Sequence, residues 1–237
     1  MIMKTVLCYG DSNTWGYNPK GGRYDYTIRW PAVMASYLNQ KIPGKTDSAD
    51  AGEYAGITPG IPGSKDCLYW VVEEGLNGRT TCLEDPIEGD RNGLRQLIPI
   101  LRSHRPMDLV IIMLGTNDLK RRFHPSPYEI SHGAQLVAKA AIASECGPGD
   151  GPPKVLLVCP APFSVSDTFA QIFSPESVDI SRKLSPFYKA CAAECGAAFF
   201  DAGTIVSACS PVDGIHWEAE DQRRFGQAMA VQVKQLI

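Results

Sequence analysis

The stretch Val6-Leu7-Cys8-Tyr9-Gly10-Asp11-Ser12-Asn13-Thr14-Trp15-Gly16 decides the reading of this chain, because a short apolar run stops at a glycine and delivers a serine. Lys4 to Tyr9 reads as a buried strand, and Gly-Asp-Ser-Asn is turn chemistry that places Ser12 at the strand's carboxyl end. In an open α/β sheet, ligands bind along that edge. Taken alone, the same residues read as an ordinary strand-to-helix turn capped by Ser12. The rest of the chain decides between the two.

Working outward, Trp30, Val33, Met34, Tyr37 and Leu38 recur at helical spacing, predicting a helix from Pro31 to about Asn39. Between Asn39 and Lys65 five glycines and three prolines mark a long loop. Its Tyr54, Ile57 and Ile61 are more apolar than a free linker needs, so an ordered loop at a subunit contact or pocket rim is expected. Cys67–Val72 reads as a second strand, closed by the turn Gly75-Leu76-Asn77-Gly78. Leu94, Leu97, Ile98 and Leu101 give a helix kinked or split at Pro99, and Met107–Leu114 is the continuous apolar run of a central parallel strand. It ends in Gly115-Thr116-Asn117-Asp118.

Ser126-Pro127-Tyr128-Glu129 is a capping-box start for a helix to about Cys146, followed by a strand at Lys154–Cys159. Ser174–Cys195 reads as helical with a break at Ser185-Pro186, then a strand at Ala197–Asp201 and a last helix from Ala219 to Ile237. Strands alternating with helices imply a parallel sheet covered on both faces. One domain spanning residues 1–237 is the default for this length.

Composition narrows the partners. A formal charge of -3 without a run of Lys or Arg gives no footprint for nucleic acid or an anionic membrane surface, so a small molecule is expected. No apolar run approaches membrane-spanning length, and Met1-Ile2-Met3-Lys4 shows no signal-peptide pattern, so the expectation is cytoplasmic. The eight cysteines lack Cys-x-x-Cys spacing and read as reduced thiols. Cys191 and Cys195 stand i,i+4, but no His is near them in sequence and packing is the better reading than a metal.

Three strand ends carry short polar turns that converge in a parallel sheet, and Asp213-Gly214-Ile215-His216 follows the last strand. The i,i+3 spacing lets Asp213 orient His216 while the other ring nitrogen faces Ser12. The N–H groups of Ser12 and Gly78 and the amide of Asn117 are candidates for oxyanion donors. Asp11 and Asp118 read as residues fixing their turns, Arg79 as an anion contact or an ion pair, and His104, His124 and His132 as surface or packing residues.

These four blocks, in this order, resemble the SGNH branch of the GDSL hydrolases. Gly-Asp-Ser-x-Thr-Trp-Gly, Glu-Glu-Gly-Leu-Asn-Gly-Arg-Thr-Thr, Asp-Leu-Val-Ile-Ile-Met-Leu-Gly-Thr-Asn-Asp and Phe-Phe-Asp-Ala-Gly are similar to its bacterial arylesterase/acyltransferase subgroup. The resemblance implies a three-layer α/β/α sandwich with a five-stranded parallel sheet, the flavodoxin-like SGNH hydrolase fold. It implies Ser12 as nucleophile, His216 as general base, Asp213 as its partner, and Ser12, Gly78 and Asn117 as the oxyanion hole. It implies a homo-oligomer, with no metal or cofactor. Asn13 stands where many relatives carry Leu; with Trp15 and Trp217 it is the candidate substrate-binding set.

The expected activity is hydrolysis, or transfer, of small acyl groups from aryl or alkyl esters, the alternative being a carbohydrate O-acetyl esterase with the same triad. Aromatic content does not decide, since Tyr17, Tyr24, Tyr26, Trp15 and Trp217 suit a sugar as well as a phenyl ring. A binding protein without turnover would show a broken triad, and none is broken. The chain has no Gly-x-Ser-x-Gly elbow, no Ser-x-x-Lys and no dinucleotide glycine fingerprint after its first strand.

Overall fold

A computed structural model describes residues 3–39 and 67–237. The long loop read between Asn39 and Lys65 therefore lies, from residue 40 onward, outside the described residues. Five strands, β1 (Lys4–Gly10), β2 (Tyr69–Gly75), β3 (Leu109–Met113), β4 (Lys154–Cys159) and β5 (Ala198–Asp201), form one sheet in the order β2-β1-β3-β4-β5. Every pairing is parallel.

Successive side chains of a strand point to opposite faces, and both faces here are apolar. On β1, Leu7 and Tyr9 join one core with Val110, Ile112, Val155 and Leu157, whereas Val6 and Cys8 join the other with Leu109, Ile111, Leu156 and Val158. Helices α3 (Gly93–His104), α4 (Pro127–Ile142) and α6 (Leu184–Cys195) cover the first face; α2 (Trp30–Asn39) and α7 (Ala219–Leu236) cover the second. Two short helices, α1 (Ser12–Trp15) and α5 (Pro175–Ser181), stand at the carboxyl edge and in the crossover after β4.

Several boundaries differ from the sequence reading. β2 extends to Gly75 because Gly10 of β1 pairs with it, so the Glu73-Glu74 pair belongs to the strand and not to the turn. α3 runs unbroken through Pro99, held by the fully buried Leu97 and Leu101 on either side. α4 ends at Ile142 instead of near Cys146. The break in the later helical region falls at Arg182-Lys183, and Pro186 sits inside the first turn of α6, where its missing N–H has no helical partner to lose.

α2 and α7 approach closely at Gly226, where an added Cβ would lie 2.7 Å from the Trp30 carbonyl oxygen and 2.8 Å from Val33 Cβ. Alanine is intrinsically better than glycine in a helix by about 1 kcal/mol. Overpacking a rigid contact costs about 1–3 kcal/mol, and here one of the clashing atoms is backbone. The clash should win: Gly226→Ala is expected to lower unfolding free energy by roughly 1–2 kcal/mol in urea melts. A more stable variant would show that the two helices are not locked at this point.

Candidate active site

The site is assembled where β1, β2 and β3 end. β1 stops at Gly10, where a Cβ would lie 2.1 Å from Thr14 Oγ1 and 2.9 Å from the Met113 carbonyl oxygen. Only glycine lets the chain turn here. Asp11 caps α1 by accepting the Asn13 N–H at 3.0 Å, and Ser12 opens that helix. Gly75 ends β2 against the back of α1, its missing Cβ leaving room for Trp15 N at 2.1 Å.

The Asp213–His216 turn arrives from the far side of the sheet. Asp213 Oδ1 accepts the N–H groups of Ile215 and His216, both at 2.9 Å, and Oδ2 lies 2.6 Å from His216 Nδ1. His216 Nε2 lies 2.9 Å from Ser12 Oγ. Burial pushes Asp213 up, but the hydrogen bonds from His216 and Ile215 outweigh it and hold the carboxyl below its usual range. An ionised carboxylate only accepts, so Nδ1 carries the ring proton and Nε2 is left to accept from the Ser12 hydroxyl. The Tyr17 ring stacks on the imidazole at 4.1 Å between centroids and Phe169 meets it edge-on at 5.9 Å.

The candidate oxyanion donors come from the other two strand ends. Gly78 has φ +79°, a conformation that side chains disfavour, and it follows Leu76, whose N–H reaches back to the Gly10 carbonyl at 3.1 Å. Asn117 stands in a short 3-10 turn after β3, and its Nδ2 spends one N–H on the Arg79 carbonyl at 3.2 Å, leaving the other. The structure thus brings Ser12, Asp213, His216, Gly78 and Asn117 to one sheet edge.

Other expectations need correction. Asn13 is buried and faces the frame, donating to the Ile215 carbonyl at 3.4 Å and accepting the Trp217 N–H at 3.1 Å, so it latches the histidine turn. Trp217 is 1% exposed and packs on Phe225 in the core, out of a substrate's reach. Trp15 stays half-buried beside Tyr17, one face covered by the Arg23 guanidinium at 4.8 Å. Arg79 is not an anion contact: at 3% exposure it donates to the carbonyls of Gly10 and Glu74 and lies over the Tyr9 ring. His132 stacks on Tyr128, His104 bonds the Ile100 carbonyl and His124 is exposed. Phe169 escaped the sequence reading because it lies in the irregular crossover after β4, outside every motif block; the aromatics Phe163, Phe169 and Phe173 were its only signal.

Asp118 does not cap its own turn. It accepts the Thr81 N–H at 3.0 Å and the Thr81 hydroxyl at 2.5 Å, tying the Asn117 turn to the segment after Gly78. Burial pushes Asp11 and Asp118 each up to about 6. Among the described residues no three His, Cys, Asp or Glu side chains are gathered to hold a metal ion, and no helix is long and apolar enough to cross a membrane.

Residues 8–223 match the model of the GDSL-like lipase/acylhydrolase family, and the chain belongs to that family as an ester-hydrolysing enzyme. Est24, a carbohydrate acetylesterase from Sinorhizobium meliloti, is 38% identical, with 99% of this chain and 100% of that one covered and a TM-score of 0.81. The native aryl esterase of M. smegmatis is 35% identical, again with 99% and 100% covered and a TM-score of 0.81. A comparison with curated protein sequences gave no match.

The buried Asp118 has a pH signature. Its carboxyl holds a proton up to about 6 in the folded chain, against 3.8 as the ordinary value, so the folded state binds more protons across that window. The stability it contributes is complete below pH 4 and is lost as the pH rises through 6, by up to about 3 kcal/mol. Asp118→Asn should remove that slope, so parent minus variant unfolding free energy, measured from pH 4 to 6.5, should fall with rising pH. A flat or rising difference would contradict the assignment.

Proposed function

We propose that the chain is a serine esterase working through an acyl-enzyme on Ser12. The observation that carries this reading is the relay from Asp213 Oδ2 to His216 Nδ1 at 2.6 Å and from Nε2 to Ser12 Oγ at 2.9 Å, buried beneath an aromatic sandwich. As Oγ attacks the acyl carbonyl, its proton passes to Nε2 and the imidazolium is stabilised by Asp213. The oxyanion that forms is held by the N–H groups of Ser12 and Gly78 and the free N–H of Asn117. His216 then protonates the leaving alcohol. Water, or a second alcohol in a transfer reaction, attacks the ester with His216 again as base.

The substrates proposed are small acyl esters of aryl or alkyl alcohols, supported by the rings of Tyr17 and Phe169 against His216, with Trp15 beside Tyr17, and by the similarity to an aryl esterase. Similarity to Est24 supports acetylated carbohydrate as the second reading, since the same rings suit a sugar face. Hydrolysis rates on phenyl acetate and on acetylated xylan fragments separate the two. A cytoplasmic setting is supported by eight free thiols, and a homo-oligomer by the subgroup resemblance, which light scattering would test.

A fluorophosphonate probe should label Ser12, and label nothing in Ser12→Ala; undiminished labelling of that variant would remove Ser12 from the nucleophile role. Ser12→Ala and His216→Ala should each lose on the order of 10³-fold or more in kcat, and the double variant little beyond either. Asn117→Ala should cost roughly 10²–10³-fold in kcat with a small change in KM. A large KM effect at constant kcat would make Asn117 a binding residue instead.

A further inference from the structure

The two outer oxyanion donors stand on turns that no strand pairing joins directly, since β1 lies between β2 and β3. Register brings the two turns to one edge, and side-chain links then join the segment after Gly78 to the segment around Asn117. Two links are buried and already described, Asn117 to the Arg79 carbonyl and Asp118 to Thr81. A third is ionic. Asp85 Oδ1 accepts the N–H groups of Ile87 at 3.0 Å and Glu88 at 3.1 Å, which folds the loop so that the Glu88 carboxylate turns back toward the site. Lys120 reaches Glu88 Oε1 at 2.6 Å and Asp85 Oδ2 at 3.2 Å, and Arg122 reaches the same two oxygens at 2.7 and 2.6 Å.

Two contacts tie this cluster to the donors. Glu88 Oε2 occupies the space beside Gly78, where a Cβ would lie only 2.3 Å from it, with Arg91 Nε 3.8 Å from the same oxygen. Lys120, on the opposite side, closes the 3-10 turn by donating its own N–H to the Asn117 carbonyl at 3.3 Å. Lys120 and Asp85 side chains are 3% and 0% exposed, so this end of the cluster is anchored in the protein interior, while Glu88 is the partly exposed member.

We propose that Glu88 is a positioning residue, a carboxylate clamp drawn by Lys120 and Arg122 against Gly78 that sets the distance between the Gly78 and Asn117 donors. The proposal rests on the reading of those two groups as oxyanion donors. Donors displaced by about 1 Å cost up to about 10²-fold in rate, so a partial loosening is a matter of roughly tenfold. Glu88 touches no reacting atom; it acts through Gly78.

The sign of the effect separates positioning from electrostatics. A carboxylate beside an oxyanion hole disfavours the developing negative charge, so removing its charge alone would raise kcat or leave it unchanged. Loss of the clamp lowers it. Glu88→Gln leaves Lys120 and Arg122 paired with Asp85. Its kcat, normalised to fluorophosphonate-labelled Ser12, should fall roughly tenfold with KM within about twofold of the parent. Glu88→Asp keeps the charge but withdraws it from Gly78 by one methylene and should lose kcat similarly.

In an Asn117→Ala background, Glu88→Gln should cost less than about threefold, because one of the two spaced donors is already gone. A parental or raised kcat in Glu88→Gln, a parental rate in Glu88→Asp, or a full tenfold loss in both backgrounds would overturn the clamp. If instead Asn117→Ala itself leaves kcat unchanged, it is the oxyanion reading that fails. That outcome is separable, because it does not involve Glu88.

Discussion

The whole edge depends on the end of β1 at Gly10. Its peptide is hemmed in by Thr14 and Met113, and its carbonyl oxygen accepts both the Leu76 N–H at 3.1 Å and the Arg79 guanidinium at 2.8 Å. One carbonyl thus ties the nucleophile turn to the segment that carries Gly78. β1 pairs with β2 on one side and β3 on the other, so all three strands end at the same height, Gly10 opposite Gly75 and Met113. Register, more than any side chain, delivers three polar turns to one place. A one-residue slip of either neighbour would turn its core-facing side chains to the other face and misplace the Gly78 or the Asn117 turn.

Three buried aspartates at this edge show how hydrogen bonding decides what a carboxyl does. Asp213 accepts two backbone N–H groups and the imidazole, and its charged form wins over burial. Asp11 and Asp118 are buried too, and there burial outweighs the hydrogen bonds and keeps their protons up to about 6. The same residue type is therefore a charged partner for His216 in one turn, the cap of α1 in another and a clip between loops in the third. Asp11 and Asp118 add little negative charge near the serine at mildly acidic pH, which leaves the carboxylate charge there to Asp213.

Much of this was legible in the sequence because it rests on local chemistry. Apolar runs of strand length and the turn residues after them fix where Ser12, Gly78 and Asn117 sit, and the i,i+3 spacing of Asp213 and His216 is itself the geometry of their contact. What escaped depends on which side of a turn a side chain leaves. Asn13 follows Ser12 directly, yet α1 turns its amide toward Ile215 and Trp217, away from the space above the serine. Trp217 follows His216 and is swung in the opposite direction, into the Phe225 layer. Pro99 and Pro186 misled because proline's cost depends on its position in a helix and on the burial around it, neither of which the residue itself reveals.

The site is also divided between the two layers of helices. Tyr188 of α6 donates to the Leu114 carbonyl at 2.7 Å, so the face covered by α3, α4 and α6 steadies the turn that carries Asn117. The histidine belongs to the other face. Gln222 of α7 donates to the Asn13 carbonyl at 3.0 Å and accepts the Trp30 N–H of α2 at 2.9 Å, while Trp217 anchors the histidine turn on Phe225. α2 and α7 thus bear on the turn that carries His216, and α6 on the turn that carries Asn117. Ser12 opens α1 directly after β1, the strand whose side chains enter both cores.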